Sequence, residues 1–270
     1  MNAPKVITSL TNDRIKAIRA LEMRKVRKET GLFVAEGASL LITARDAGFV
    51  PETLVYQSGT NESGITRGLI IWALQHAAEV LEVSEAVLAK LASKENPQTV
   101  LGVFKQVFSE PLKVASIEAS ATWLALEDIR DPGNLGTIIR TVDAVGAAGI
   151  ILAGSCCDPY STESIRATMG SIFSVPIVKL DKSALLALVK GWPGDSIATH
   201  LESTDDFRQV YCNGPQLVVM GSEGPGLSAE VASACTRRVK IPMAGQLDSL
   251  NLAIATALTL YQIRGPYLKL

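Results

Sequence analysis

The sequence is poor in the side chains that hold metals. Its 270 residues include only two histidines, His76 and His200, and four cysteines, Cys156, Cys157, Cys212 and Cys235, none in CxxC spacing. That is not a zinc pattern, and no metal is expected. The adjacent Cys156 and Cys157 read as small buried hydrophobes at a strand end. An apolar N-terminal targeting segment is missing, and so is any apolar run of the roughly 20 residues a bilayer span requires. Neither secretion nor membrane insertion is expected, which leaves the cytoplasm. There is no G-x-G-x-x-G opening a helix in a first βαβ unit, and no glycine-rich loop followed by Lys-Ser/Thr. A dinucleotide-dependent oxidoreductase and a P-loop nucleotidase are thereby disfavoured. Internal repeats and low-complexity tracts are absent as well.

A formal net charge of −1 hides an asymmetry. Before Thr30 stand eight basic residues (Lys5, Arg14, Lys16, Arg19, Arg24, Lys25, Arg27, Lys28) against three acids (Asp13, Glu22, Glu29). Such a run is usually a solvated face, and in a protein that holds RNA it becomes a phosphate-contacting surface.

An apolar content of 47% with 20% charged residues describes a globular chain with ample core, and the length predicts two domains at about 150 residues each. Residues 1–108 read as a small α/β domain. Asn12 opens an amphipathic helix through Ile15, Ile18 and Leu21, followed by strands at 32–36, 53–57, 80–83 and 100–107 and helices at 38–47, 69–77 and 84–91. Residues 109–120, with Pro111 and small or polar neighbours, form the linker. From 121 to 270 strands and helices alternate more regularly, predicting a mostly parallel sheet with helices on both faces. Ligands of such sheets bind outside the carboxyl ends of the strands, where three unusual stretches fall.

In the first stretch, EDIRDPGNLGTIIRTVDAVG (127–146), Asn134 is placed to cap a helix or to bond a neighbouring loop. Arg140 sits six residues on, in an otherwise apolar helix, and either snorkels into an ion pair or serves a site. The second, VVMGSEGPGL (218–227), is a strand running into a glycine-rich turn; Gly221, Gly224 and Gly226 let backbone approach a ligand closely, and Glu223 offers a carboxylate. In the third, IPMAGQLDSLNLAIATALTLYQI (241–263), a turn and the polar residues Asp248, Ser249 and Asn251 precede a helix apolar nearly all round. Ser249 and Asn251 are good helix caps, and such a helix is buried in a core or an interface.

In this order the three stretches resemble motifs 1, 2 and 3 of the SpoU (TrmH-type) RNA methyltransferases. RATMGSIFSVPI (166–177) is similar to that family's connecting RxSxGxxFxxP element, with Thr168 in place of Ser. The resemblance implies a C-terminal SPOUT α/β knot, a deep trefoil, over 121–270. It also implies an N-terminal substrate-binding domain similar to ribosomal protein L30e, with Asn12, Arg14, Ile15, Lys16 and Phe33–Gly37 as its motif residues. The implied reaction is methyl transfer from S-adenosylmethionine to a ribose 2′-hydroxyl of ribosomal or transfer RNA. Arg140, Asn134, Glu223, Ser249 and Asn251 would be catalytic. Thr199, Gly221, Ile241 and Leu250 would hold the cofactor, and Arg14, Lys16, Arg24, Lys25, Arg27 and Lys28 the RNA. A homodimer through the C-terminal domain is implied too. The rival from the same fold is an RNA-binding protein without catalysis.

Overall fold

The computed structural model describes residues 3–61, 64–92, 98–210, 214–247 and 249–269; Cys212 and Asp248 lie outside the described residues. The chain divides into two compact units, residues 1–106 with 158–173, and 107–157 with 174–270.

The first unit runs β1 (Lys5–Ile7), α1 (Asp13–Ala20), α2 (Arg24–Thr30), β2 (Leu32–Glu36), α3 (Ala38–Asp46), β3 (Thr53–Gln57), α4 (Gly64–Gln75), β4 (Glu79–Val83), α5 (Glu85–Leu91) and β5 (Val100–Lys105). Its sheet is mixed, in the order β1-β4-β3-β5-β2, with β5 antiparallel to both neighbours. One sheet face packs Val55, Leu81, Val83 and Leu101 against Ile15 and Ile18 of α1 and Val87 and Leu88 of α5. Asn12 caps α1 as the sequence predicts, its side chain accepting from the Arg14 amide at 2.9 Å. β1 and α2 carry no periodic signal in the sequence, since three residues set no period and RKVRKET has a single apolar position.

Arg27 departs from its expected role. The basic run places it among the RNA-facing cations, but α2 turns it inward and the residue is 4% exposed. Its Nε donates to Asp158 Oδ2 at 2.8 Å, and Nη1 donates to the carbonyls of Leu21 and Glu22 at 2.8 Å each. Every strong bond of this guanidinium is internal to the fold, so it is a structural strut and not an RNA contact. Arg14, Lys16, Arg24, Lys25 and Lys28 are exposed. The pairs Arg14–Glu79 and Lys16–Asp13, each at 3.2 Å, are of the weak surface kind.

The second unit begins β6 (Thr122–Glu127), α6 (Pro132–Ala144) and β7 (Gly149–Ala153). The chain then leaves for α7 (Thr162–Thr168), which lies in the first unit, where Tyr160 and Phe173 stack near Phe33 at ring-centroid distances of 4.7 and 6.0 Å. The sequence pattern carried no sign of this excursion, because α7 keeps the strand–helix rhythm of its neighbours. The unit resumes with β8 (Ile177–Leu180), α8 (Lys182–Lys190), β9 (Asp195–Thr199), β10 (Gln216–Met220), α9 (Ala229–Ala234), β11 (Arg237–Val239) and α10 (Leu252–Arg264).

All pairings in this second sheet are parallel, in the order β11-β9-β10-β6-β7-β8. One face buries Ala125, Ile151, Leu217 and Val219 against Leu185 and Val189 of α8 and Val231 of α9. The alternate residues Leu124, Leu126, Ile150, Val218 and Met220 are equally buried, and α6 and α10 pack on the sheet and on each other. A strand two-sidedly apolar is what a parallel sheet covered on both faces requires.

Removing the Arg27 guanidinium leaves Asp158 without its ion pair in a part-buried site. Arg27→Ala is expected to lower the unfolding free energy by about 3 kcal/mol, read from urea unfolding of the full chain.

Candidate functional site

The carboxyl ends of β6, β9, β10 and β11 are where the three sequence motifs meet. At the end of β6, Asp131 and not Asn134 caps α6, its carboxylate accepting from the Asn134 amide. The Asn134 side chain is thereby free to reach sideways. Its Nδ2 donates to Glu223 Oε1 at 2.8 Å, and its Oδ1 accepts from Asn251 Nδ2 at 2.9 Å. Asn251 caps α10 with its remaining oxygen, accepting from the amides of Ala253 and Ile254 at 2.9 and 3.3 Å. One side chain from each motif therefore enters a single hydrogen-bonded row, across sequence separations of 89 and 117 residues.

The glycine-rich turn owes its shape to two backbone constraints. A Cβ on Gly221 would collide with the peptide joining Gly226 to Leu227, and backbone has no flexible end that could yield. The neck is closed by Ser222 and Gly226, which exchange amide bonds at 3.2 and 3.0 Å, with Gly224 and Gly226 at φ 90° and 74°. These are left-handed conformations that glycine adopts at least cost.

Beside the row lies a cavity of about 450 Å3. Thr199, Gly221, Ile241 and Leu250 all line it, as do Glu223, Ser249 and Asn251. Asn134 does not, but it bonds two residues that do. Arg140 is absent from the wall; it stands exposed on the outer face of α6, about 9 Å along the axis from Asn134 at 1.5 Å per residue. The sequence missed Met220, Leu227 and Met243 in the lining. Met220 was findable, since it ends a parallel strand at the edge where such sheets bind ligands; its sulfur accepts from the Thr199 hydroxyl at 3.1 Å. A larger hollow of about 650 Å3, lined by residues such as Asp195, Ser203 and Arg237, shares His200 with the first. It holds none of the motif residues, so size alone does not locate the site.

Charge near the row is organised by Lys182, whose ammonium pairs directly with Asp128. That pair and the Ser155 amide hold the Asp128 carboxyl below its ordinary range. Burial pushes the Cys157 thiol up to about 12, so it is no nucleophile. Among the described residues no His/Cys/Asp/Glu group could hold a metal ion.

The last helix is covered on one side only. Leu252, Ala253, Thr256, Leu260 and Ile263 are buried, while Ile254, Leu258 and Tyr261 are 52%, 41% and 50% exposed, in line with Leu250 at 37%. Spacing defines the apolar stripes, but only the packing partner decides which is covered.

A parallel α/β sheet with a polar row, a glycine-built turn and a cavity of small-ligand size at its carboxyl edge belongs to a ligand-binding class. The chain belongs to the SpoU rRNA methylase family, whose model matches residues 121–261; an MRM3-like substrate binding domain matches residues 12–102. It is similar to an AdoMet-bound rRNA methyltransferase from Sinorhizobium meliloti, with 41% identity and a TM-score of 0.88 over 98% of this chain and 99% of that one. It is 27% identical to a 23S rRNA (guanosine(2553)-2′-O)-methyltransferase of Bacillus subtilis, over 97% of this chain and 100% of the relative. A 23S rRNA (uridine(2479)-2′-O)-methyltransferase of Streptomyces viridochromogenes is 30% identical over 88% and 84%.

Because Gly221 faces backbone, Gly221→Ala is expected to cost about 1–3 kcal/mol of stability through overpacking. Chemical unfolding of the variant beside the parent measures it.

Proposed function

We propose that this protein is an S-adenosylmethionine-dependent RNA methyltransferase that modifies a ribose 2′-hydroxyl of ribosomal or transfer RNA. The observation that carries the reading is the Glu223–Asn134–Asn251 row beside a cavity lined by Thr199, Gly221, Ile241 and Leu250. The relatives named as 23S rRNA 2′-O-methyltransferases and the AdoMet-bound structure support it.

The cavity suits the cofactor in size, since small-molecule sites run about 300–1,000 Å3, and in chemistry. Leu201, Met220, Leu227 and Leu250 offer apolar walls for a flat base, and Gly221 and Gly224 leave backbone bare for polar contacts. When bound, S-adenosylmethionine supplies a methyl group already activated on a sulfonium. The chain's part is then to place the ribose oxygen and to manage its proton. Positioning of this kind is worth up to roughly 7–11 kcal/mol.

Arg140 contacts the RNA and not the cofactor, consistent with its exposed place outside the cavity wall. A guanidinium with a pKa above about 12 is a poor base. It clamps the phosphate beside the target ribose and stabilises charge developing on the oxygen, while the hydroxyl proton passes to phosphate or water. Asn134, Glu223, Ser249 and Asn251 orient Arg140 and the ribose. The first unit binds the RNA through Arg14, Lys16, Arg24, Lys25 and Lys28, and its L30e-like character and the trefoil knot of the second unit belong to this same reading. No helix among the described residues is long and apolar enough to cross a membrane, and the cytoplasm is the proposed location. An RNA-binding protein without catalysis would have no need of an intact row next to a cofactor-sized cavity.

The stripe Leu250, Ile254, Leu258 and Tyr261 is the proposed homodimer face, because an exposed apolar stripe at helical spacing marks an interaction surface. Ile254→Glu is expected to convert a dimer to monomers in sedimentation velocity; an unchanged dimer would place the interface elsewhere. Arg140→Ala is expected to reduce single-turnover methylation of ribosomal or transfer RNA by about 10²–10³-fold. Calorimetry should find its S-adenosylmethionine affinity within about twofold of the parent. Equal loss of both would move Arg140 into the cofactor site.

A further inference from the structure

Glu127 ends β6 and is 2% exposed. A carboxylate taken out of water is retained only where other bonds replace its hydration. Glu127 is half supplied. Its Oε2 accepts from the Ser228 amide at 2.8 Å, whereas Oε1 is buried, accepts no hydrogen bond among the described residues and lies 3.9 Å from Lys182 Nζ. Lys182 is itself committed to Asp128, which holds left-handed backbone at φ 55° and accepts from the Ser155 amide at 2.7 Å. An apolar side chain would be the more economical way to fill that space, so stability alone does not account for a buried charge here.

Its position does account for it. β6 and β10 run in register with Leu126 beside Met220, so Glu127 rises next to Gly221, where the glycine-rich turn departs. Ser228 is the residue at which the same turn returns, directly after Leu227 of the cavity wall. One carboxylate on the neighbouring strand thus catches the far root of the turn at the level of its near root. With both roots held and the neck closed by Ser222 and Gly226, Glu223 at the tip is placed to accept from Asn134.

We infer that Glu127 is a positioning residue for methyl transfer, acting through the Ser228 amide on the turn that carries Glu223 and Leu227. The inference rests on the methyltransferase reading of the site. Its test uses full-length Glu127→Ala and Glu127→Gln, assayed at a temperature where thermal scans show every variant folded. Glu127→Ala raises the S-adenosylmethionine Kd and lowers the single-turnover rate by about tenfold each, the size expected for losing a hydrogen bond to a charged group. Glu127→Gln, whose amide oxygen still accepts from Ser228, recovers both to within about threefold.

Should Glu127→Ala not fold, Glu127→Leu fills the same space while offering the Ser228 amide no acceptor, and the same tenfold losses are expected. A merely structural Glu127 would lower the melting temperature and leave the affinity and rate of the folded protein unchanged, which overturns the inference. So would Glu127→Gln as impaired as Glu127→Ala, since charge and not the Ser228 bond would then matter. Parent protein that binds no S-adenosylmethionine would overturn the methyltransferase reading and this inference with it; normal binding by parent and Glu127→Ala alike overturns the inference alone.

Discussion

The Asn134 side chain is the joint on which the second unit depends. A primary amide offers donor and acceptor on one rigid plane, and here the donor side takes the glycine-rich turn and the acceptor side takes the start of α10. Capping its own helix would commit the Asn134 oxygen to backbone amides, and Asp131 relieves it of that duty. The far ends of the same two helices are tied as well, where Arg264 donates to the Val145 carbonyl at 3.0 Å and the Ser120 carbonyl at 3.2 Å. α6 and α10 are thus held at both termini, which sets where Arg140 projects from one and the apolar stripe from the other.

Around that joint the polar groups divide by depth. Glu127 is buried beneath the turn, Asp128, Glu223 and Asn134 are half-buried, and Lys182, Ser249, Asn251 and Arg140 stand exposed. The buried Glu127 carboxylate takes the Ser228 amide on one of its oxygens, while the groups proposed to meet RNA remain hydrated until it arrives. A site that must admit a large polyanion and also hold a small cofactor needs both conditions within one sheet edge.

Much of the fold was legible because both kinds of period are strong here. α1, α5, α8 and the six parallel strands of the second unit follow apolar spacing and capping residues that the sequence displays openly. What escaped has a common cause. β1 and α2 are too short or too polar to set a period, Arg27 looks like any cation in a basic run, and α7 gives no sign that it packs with the first unit. In each case the deciding contact is with residues far away along the chain.

By itself the sequence displayed the polar residues that the structure brings to one sheet edge, the glycine-rich turn between them and the apolar character of the last helix. These are properties of single residues and of short-range spacing. Tertiary structure alone decided that Asn134 bonds sideways instead of capping, that Arg27 is a strut, that Leu250, Ile254, Leu258 and Tyr261 are the stripe left open, and that Glu127 holds the root of the turn. Direction and burial of a side chain are set by what the rest of the chain brings opposite it, and that is not written in any local pattern.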